Sequence, residues 1–366
     1  MKISIERETL LSALQAVANV VERRQTLPIL SNVLLAAEND EITVTATDME
    51  VEAVARVAAK IGRAGTLTVP GRKLLDICRS LPALSLISIE EKDKKIRIQS
   101  GRSKFVLSTL PPNEFPLVGI STEEFSFKLE ANVLQDLISS TQFAMAHQDV
   151  RYYLNGLLLE VTSTSIKTVA TDGHRLALSE RLISLEMGDL RQLIIPRKGV
   201  AEIQRLANNS SEPITISVFS NVLRISTATQ SLTIKLVDGK FPDYERVLPK
   251  GGNKLVVANR ELLKAALQRT SILSNEKFRG VRLNFSKQVL KTSAHNPEQE
   301  EAEEEIEVDY DGENLEIGFN VSYLLDVLNV LQTENIQIIL SDSNSSCLMQ
   351  APDEAPGRYV VMPMRL

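Results

Sequence analysis

Cysteine, histidine and long apolar runs are all scarce in this chain, and each scarcity removes a class of function. Its 366 residues include two cysteines and three histidines. Cys78 falls on an expected helix and Cys347 on an expected strand of a different region, so both read as reduced packing residues and not as a redox pair. His147, His174 and His295 sit in three separate strings, with neither an HExxH pattern nor paired ligand spacing. No metal site is expected. No Gly-rich strand-to-helix turn is present to cradle a nucleotide, and no cofactor is expected either. No apolar run approaches the roughly 18 residues of a membrane helix, and Met1 to Arg7 already alternates like a strand, unlike a signal peptide. The expectation is a cytoplasmic protein without membrane contact.

What is present is ordinary in bulk and unusual in arrangement. With 43% hydrophobic and 24% charged residues, the chain has the balance of a folded globular protein. Its net charge of -6 argues at face value against nucleic-acid binding, which usually rests on basic stripes that displace counterions from phosphate. The distribution of charge matters more than the sum.

Long stretches of the chain repeat one another. "LPILSNVLLAAENDEITVTATD", ending at Asp48, aligns with "RYYLNGLLLEVTSTSIKTVATD", ending at Asp172, and more loosely with "KFRGVRLNFSKQVLKTSAHN", ending at Asn296. A second string repeats as "TVPGRKLLDICRSL" from Thr68, "IIPRKGVAEIQRL" from Ile194 and "GFNVSYLLDVLNVL" from Gly318. "STLPPNEFP", ending at Pro116, matches "KLVDGKFP", ending at Pro242. Self-similarity at a fixed long period means duplicated structural units. Three domains follow, over 1–120, 127–248 and 254–366.

Apolar residues at three and four spacing predict two helices per unit. The first-half helices carry Leu10, Leu11, Leu14, Val17 and Val21, then Val133, Leu134, Leu137 and Ile138, then Leu262, Leu263, Ala266 and Leu267. The second-half helices carry Leu74, Leu75, Ile77 and Leu81, then Val200, Ile203 and Leu206, then Leu324, Leu325, Val327 and Leu328. Period-two alternation predicts strands at 2–5, 41–47, 94–100, 105–110, 165–170, 222–226, 230–236 and 337–340. Strand-dominated units with two helices each fit an α+β fold, antiparallel sheets on one side and helices on the other, and not a doubly wound one. The expected helices hold Arg72, Lys73, Arg79, Arg197, Lys198, Arg205, Arg260, Lys264 and Arg269, while acidic residues gather in loops and in the run 298–307. Either these cations are ordinary solvated faces, or all six helices turn one basic face the same way.

Seven strings carry a family likeness: "TLPIL" from Thr26, "HQDVRYYLNG" from His147, "ATDGHRLA" from Ala170, "FPDYERVLP" from Phe241, "ILSNEKFRGVRL" from Ile272, "NPEQEEAEE" from Asn296 and the terminal "YVVMPMRL" from Tyr359. They resemble, in order and over the full length, the β sliding clamp family of bacterial DNA polymerase III. The match loosens over 183–193, 207–230 and 350–357. The resemblance implies three similar domains with sheets outside and helices inside, joined head to tail as a homodimeric ring. Such a ring encircles duplex DNA, slides along it and tethers the replicative polymerase, with no catalysis of its own. Its partners would be the polymerase catalytic subunit, an ATP-driven clamp loader, and other polymerases and repair proteins that present short peptide motifs.

The same resemblance assigns residues to three surfaces. DNA would face Arg24, Arg72, Gln148, Tyr152, Tyr153, Arg197 and Lys198, although the two tyrosines fit ordinary sheet packing as well. Topological linkage lets such contacts be weak and indifferent to sequence. Ring closure needs two different surfaces, because head-to-tail contacts are heterologous. One would hold Arg102, Lys104, Phe105 and Leu107, with Lys73 nearby. The other would hold Ile272 and Leu273 with Gln299, Glu300, Glu301, Glu303 and Glu304, a run that by itself reads as a solvated acidic face. The third surface is a pocket for extended peptides, built by the apolar terminus Val360, Val361, Met362, Pro363, Met364, Arg365 and Leu366. The resemblance adds Leu154, Thr171, Gly173, His174, Arg175 and Leu176, and then Pro242, Arg246, Val247 and Ser346. Val360 and Val361 also fit a plain sheet strand.

Three rival readings stand beside this one. An enzyme would use Asp172, His174 and Arg175 of "TDGHR", yet "TDMEV" occupies the matching position of the first unit, so Asp48 and Asp172 read more simply as turn residues. A sequence-specific regulator would need a compact recognition-helix module, which a threefold repeat does not supply. An open scaffold that binds only proteins would show no residence on circular DNA.

Overall fold

Alternating strands dominate, and every strand pairing is antiparallel, as the period-two patterning predicts. The computed structural model describes residues 1–21, 27–93, 95–185, 190–249, 251–353 and 356–365. Arg24, Leu366 and the Lys94 start of one expected strand lie outside them. The chain folds as two units, Met1–Leu134 with Lys198–Leu236, and Gln135–Arg197 with Val237–Leu366.

The first unit holds a five-stranded sheet, in the order Lys60–Arg63, Lys2–Glu6, Leu86–Lys92, Lys95–Ser100 and Ser103–Ser108. It also holds an eight-stranded sheet, in which Gln230–Lys235 of the central repeat pairs with Val51–Ala58 of the first. The second unit is built the same way. Its eight-stranded sheet joins Arg175–Leu182 of the central repeat to Gly357–Val361 of the third, and a four-stranded sheet runs in the order Glu301–Glu307, Val289–His295, Gly280–Ser286, Leu315–Asn320. The central repeat thus lends half its strands to each unit, which a linear repeat pattern does not reveal.

All six expected helices are present among the described residues: Arg7–Val17, Gly71–Ser80, Ala131–Ser139, Arg197–Asn208, Arg260–Thr270 and Val321–Val330. Three repeat the same junction, starting directly after the strands Gly65–Pro70, Arg191–Pro196 and Leu315–Asn320. Asn259 and Asn320 cap their helices through side-chain oxygens that accept from Leu262 N at 3.0 Å and Ser322 N at 2.9 Å. Leu10, Leu14 and Val17, and likewise Leu74, Leu324 and Leu328, are buried as their spacing predicts. Leu262 departs from this. It is 56% exposed, because Leu263, Ala266, Leu267 and Thr270 form the buried stripe and Leu262 lies about 100° around the helix from Leu263. Between helix end and sheet, Thr141 pairs with Thr168 at 3.0 Å and Thr270 with Thr292 at 2.7 Å, while the first-repeat equivalents Val17 and Val44 are simply buried. No described helix is long and apolar enough to cross a membrane.

Candidate functional site

The "TD" turns of the first and central repeats are built by their own side chains. Asp172 Oδ1 accepts from His174 N at 2.9 Å and Arg175 N at 3.0 Å, just as Asp48 Oδ1 accepts from Glu50 N at 2.9 Å and Val51 N at 2.7 Å. The preceding threonine repeats too, Thr171 Oγ1 accepting from Gly173 N and Thr47 Oγ1 from Met49 N. The carboxylates are therefore occupied in turn formation, as the repeat predicts, and not held ready for proton transfer.

Around the second turn the structure gathers an apolar cluster. Leu154, Leu176 and Val360 are buried together with Phe241 and Tyr244, and half-buried Tyr153, Val237, Val247, Leu248 and Leu348 pack against them. Phe241, Tyr244, Val237, Leu248 and Leu348 were missed by the residue assignments. The helical spacing of Phe241, Tyr244, Val247 and Leu248 was the available signal. Val360 and Val361 complete the sheet between Arg175–Leu182 and Cys347–Gln350. The chain then runs on as a strap tied by Met362 N to His174 O at 2.9 Å and Met364 N to Gly318 O at 2.8 Å. Gly173 lies at φ +88°, and a Cβ there would meet the Arg151 guanidinium at 3.1 Å, so a side chain would be strained and crowded.

Not every assigned pocket residue offers a free group. Arg175 is 12% exposed, ion-paired to Asp172 at 3.1 Å and to Asp326, donating to Phe143 O at 2.8 Å and lying 4.5 Å above the Tyr323 ring. It is a brace. Arg246, by contrast, is 85% exposed and paired with its neighbour Asp243 at 2.8 Å, beside exposed Pro242; Ser346 is half-buried one residue before Cys347. Pro363 lies in the strap, whereas Met364 and Arg365 line a separate cleft of about 370 Å³ with Phe278, Arg282 and His295.

The residues assigned to DNA fall in both units. In the first, Arg72 is exposed and donates to Val21 O at 3.2 Å, while Lys198 is ion-paired to Asp48. In the second, Arg197 donates to Met145 O and Ala146 O at 2.9 Å each, anchoring the loop that carries Gln148. The Arg151 guanidinium grips Asp149 in that loop and holds its carboxyl down at about 2. The tyrosines divide: Tyr153 packs on the apolar cluster, and Tyr152, edge-on to Tyr153 with ring centroids 5.8 Å apart, is exposed. Of the other helix cations, Arg205 pairs with Glu202, Arg260 donates to Thr333 O and Leu328 O, and Arg269 clasps Glu304 at 2.6 and 3.0 Å. These three cations are committed to structure.

The two surfaces assigned to ring closure are sheet edges. Strand Ser103–Ser108 pairs on one side only, turning half-buried Phe105 and Leu107 to the core face opposite Ile98 and Ile96 and leaving Lys104 outward, next to exposed Arg102. Lys73 is exposed on its helix. Strand Glu301–Glu307 likewise pairs on one side, with Glu301 and Glu303 exposed and Ala302, Glu304 and Ile306 on the core face. Arg269 holds the Glu304 carboxyl below its ordinary range. Beside that strand, the single turn Ser271–Leu273 leaves Ile272 75% exposed and Leu273 half-buried, and Gln299 and Glu300 form the preceding turn, where Asn296 Oδ1 accepts from Glu300 N at 2.9 Å.

Bare sheet edges of opposite charge and an apolar cluster beside a terminal strap suit a protein that works by holding other molecules. Models of the DNA polymerase III beta subunit match the chain as N-terminal domain over residues 1–119, central domain over 128–243 and C-terminal domain over 245–365. A Beta sliding clamp of Pseudomonas putida is 55% identical, and one of Escherichia coli (strain K12) 48% identical, each aligned over 367 residues and covering 100% of both chains. The DNA polymerase sliding clamp of Pseudomonas aeruginosa matches in structure with a TM-score of 0.98 at 54% identity, and Caulobacter crescentus pol III beta with 0.96 at 39%, each covering 100% of both chains. The chain belongs to the DNA polymerase III beta subunit family. It is a processivity factor, without catalysis of its own.

Proposed function

We propose that two copies close head to tail into a ring around duplex DNA, with strand Ser103–Ser108 of one copy laid antiparallel against Glu301–Glu307 of the other. The observation that carries this is the pair of one-sided edges, basic on Ser103–Ser108 and acidic on Glu301–Glu307. Bare edges are a liability that proteins usually cover, and pairing these two would cover both. Joining them would also continue two half-buried core faces, Phe105 and Leu107 meeting Ala302, Ile306 and Ile272. Each large side chain so buried is worth about 1.5–3 kcal/mol. Opposite charge fixes which edge meets which.

Within that ring the three domains over 1–120, 127–248 and 254–366 each supply two helices. Arg72, Gln148, Tyr152, Arg197 and Lys198 meet phosphate weakly and without regard to sequence, while topology does the holding. The apolar cluster around Leu154, Leu176, Val247 and Val360, rimmed by His174, Arg246 and Met362, takes short extended peptides from the replicative polymerase, the ATP-driven loader and other polymerases and repair proteins, in the cytoplasm. Retention on DNA after loading tests the ring. The clamp should stay on nicked circles and be lost from the same molecules cut once. Equal retention on both would mean ordinary contact binding and defeat the proposal.

A further inference from the structure

The first repeat holds a counterpart of the proposed peptide pocket. Met49 stands where the second repeat has Gly173, and Leu27 to Ile29 stand where it has Arg151 to Tyr153. The likeness is geometric as well as textual. Lys235 N donates to Glu50 O at 2.9 Å, as Met362 N donates to His174 O at 2.9 Å. Both sites have a single-turn helix, Pro28–Ser31 or Tyr152–Asn155, leading into a strand. Beneath them Leu30 and Phe115 are buried together, as Leu154 and Phe241 are.

A groove of about 360 Å³ opens over this floor, lined by Leu27, Ile29, Met49, Leu110, Pro116 and Glu114. Leu27 and Met49 remain 47% and 42% exposed. Met49 lies at φ +78°, which residues other than glycine rarely adopt, so the groove's rim carries a strained position occupied by an apolar side chain. Charge is reversed at one position: where the second repeat carries Lys240, the first carries Glu114, the one charged residue among the described residues lining the groove, and Glu50 replaces His174 on the adjoining turn. An occupant must therefore be apolar and cationic, not apolar and anionic.

We propose that the first-repeat groove is a second docking site, for an extended protein segment that pairs leucine-like side chains with a lysine or arginine. Its use does not depend on the pocket under the C-terminal strap.

The test uses the full-length protein with its seven methionines labelled at the methyl carbon. The probe is a short amidated peptide of alternating leucine and lysine, and its twin carries glutamate for lysine. The lysine peptide should move the Met49 methyl signal, assigned through Met49→Leu. Glu114→Lys and Leu27→Ser should each weaken it by about tenfold, Glu114→Lys shifting preference toward the glutamate twin. Removing Met362 to Leu366 should change that affinity by less than about twofold. Both side chains substituted are surface-exposed, and unchanged signals from the other methionines would show that each variant is folded. Movement of Met362 and Met364 without Met49, indifference to Glu114→Lys, or no binding at millimolar peptide would each overturn the proposal. So would a peptide-free gain in mass that Leu27→Ser abolishes, which would assign the groove to another copy of the chain.

Discussion

Asp172 and Glu52 show two fates of a carboxylate in this chain. Asp172 spends its lone pairs on a turn, whereas Glu52 is buried on the strand Val51–Ala58, accepting from Val118 N at 3.0 Å. Burial raises the Glu52 pKa above its ordinary 4.5, the Val118 hydrogen bond only partly opposing it. A raised carboxyl binds its proton more tightly folded than unfolded. Its contribution is full below the unfolded pKa and is lost as pH rises through the folded one. Glu52→Gln should therefore gain melting temperature over the parent as pH rises from 4.5 towards neutrality; a difference that does not vary with pH would refute this. The two cysteines make a simpler case. Burial pushes both thiols up to about 12, so little thiolate forms at pH 8. Iodoacetamide should modify neither Cys78 nor Cys347 in the folded protein and both in denaturant, as measured by mass. Residue chemistry of this kind was partly legible: burial of the cysteines followed from apolar spacing, but that of Glu52 did not, since nothing in "EVEAVA" distinguishes a buried glutamate from a solvated one.

At the scale of elements, the helices were the most legible part, because a period of 3–4 over ten or so residues leaves little ambiguity. The acidic run 298–307 was not. Its charges read only as a solvated acidic face, whereas Glu301–Glu307 is a regular strand paired along its length to Val289–His295, with Ala302, Glu304 and Ile306 on the core face. Alternation is present there but masked, since one alternate residue of the core face is itself a glutamate, neutralised by Arg269. The proposed pairing of the two edges makes this strand decisive. Ile272→Ala with Leu273→Ala should convert dimers to monomers by light scattering, an unchanged dimer mass sinking the assignment. Charge reversal at Arg102 and Lys104 should weaken association, and simultaneous reversal of Glu301 and Glu303 should restore it if opposite charge sets the match.

For the whole molecule, the strap after Val361 separates two roles that the sequence runs together. Val360 and Val361 are sheet residues, and among the described residues Met362 onward is tied by backbone hydrogen bonds to His174 and Gly318. Removing Met362 to Leu366 should abolish stimulation of the polymerase while leaving the dimer mass unchanged. Retained stimulation would contradict the pocket. By itself the sequence determined the threefold repeat, the six helices, the antiparallel strands and the family, because each is written in local periodicity or in strings long enough to be recognised. Tertiary structure alone decided that the central repeat is shared between two eight-stranded sheets, that Arg175, Arg205 and Arg269 brace the fold, and that Phe241, Tyr244 and Leu348 pack in one apolar cluster with Leu154 and Val360. The reason is physical: strand pairing and ion pairing join residues far apart in the chain, and a local pattern records what a side chain is, not which partner it finds.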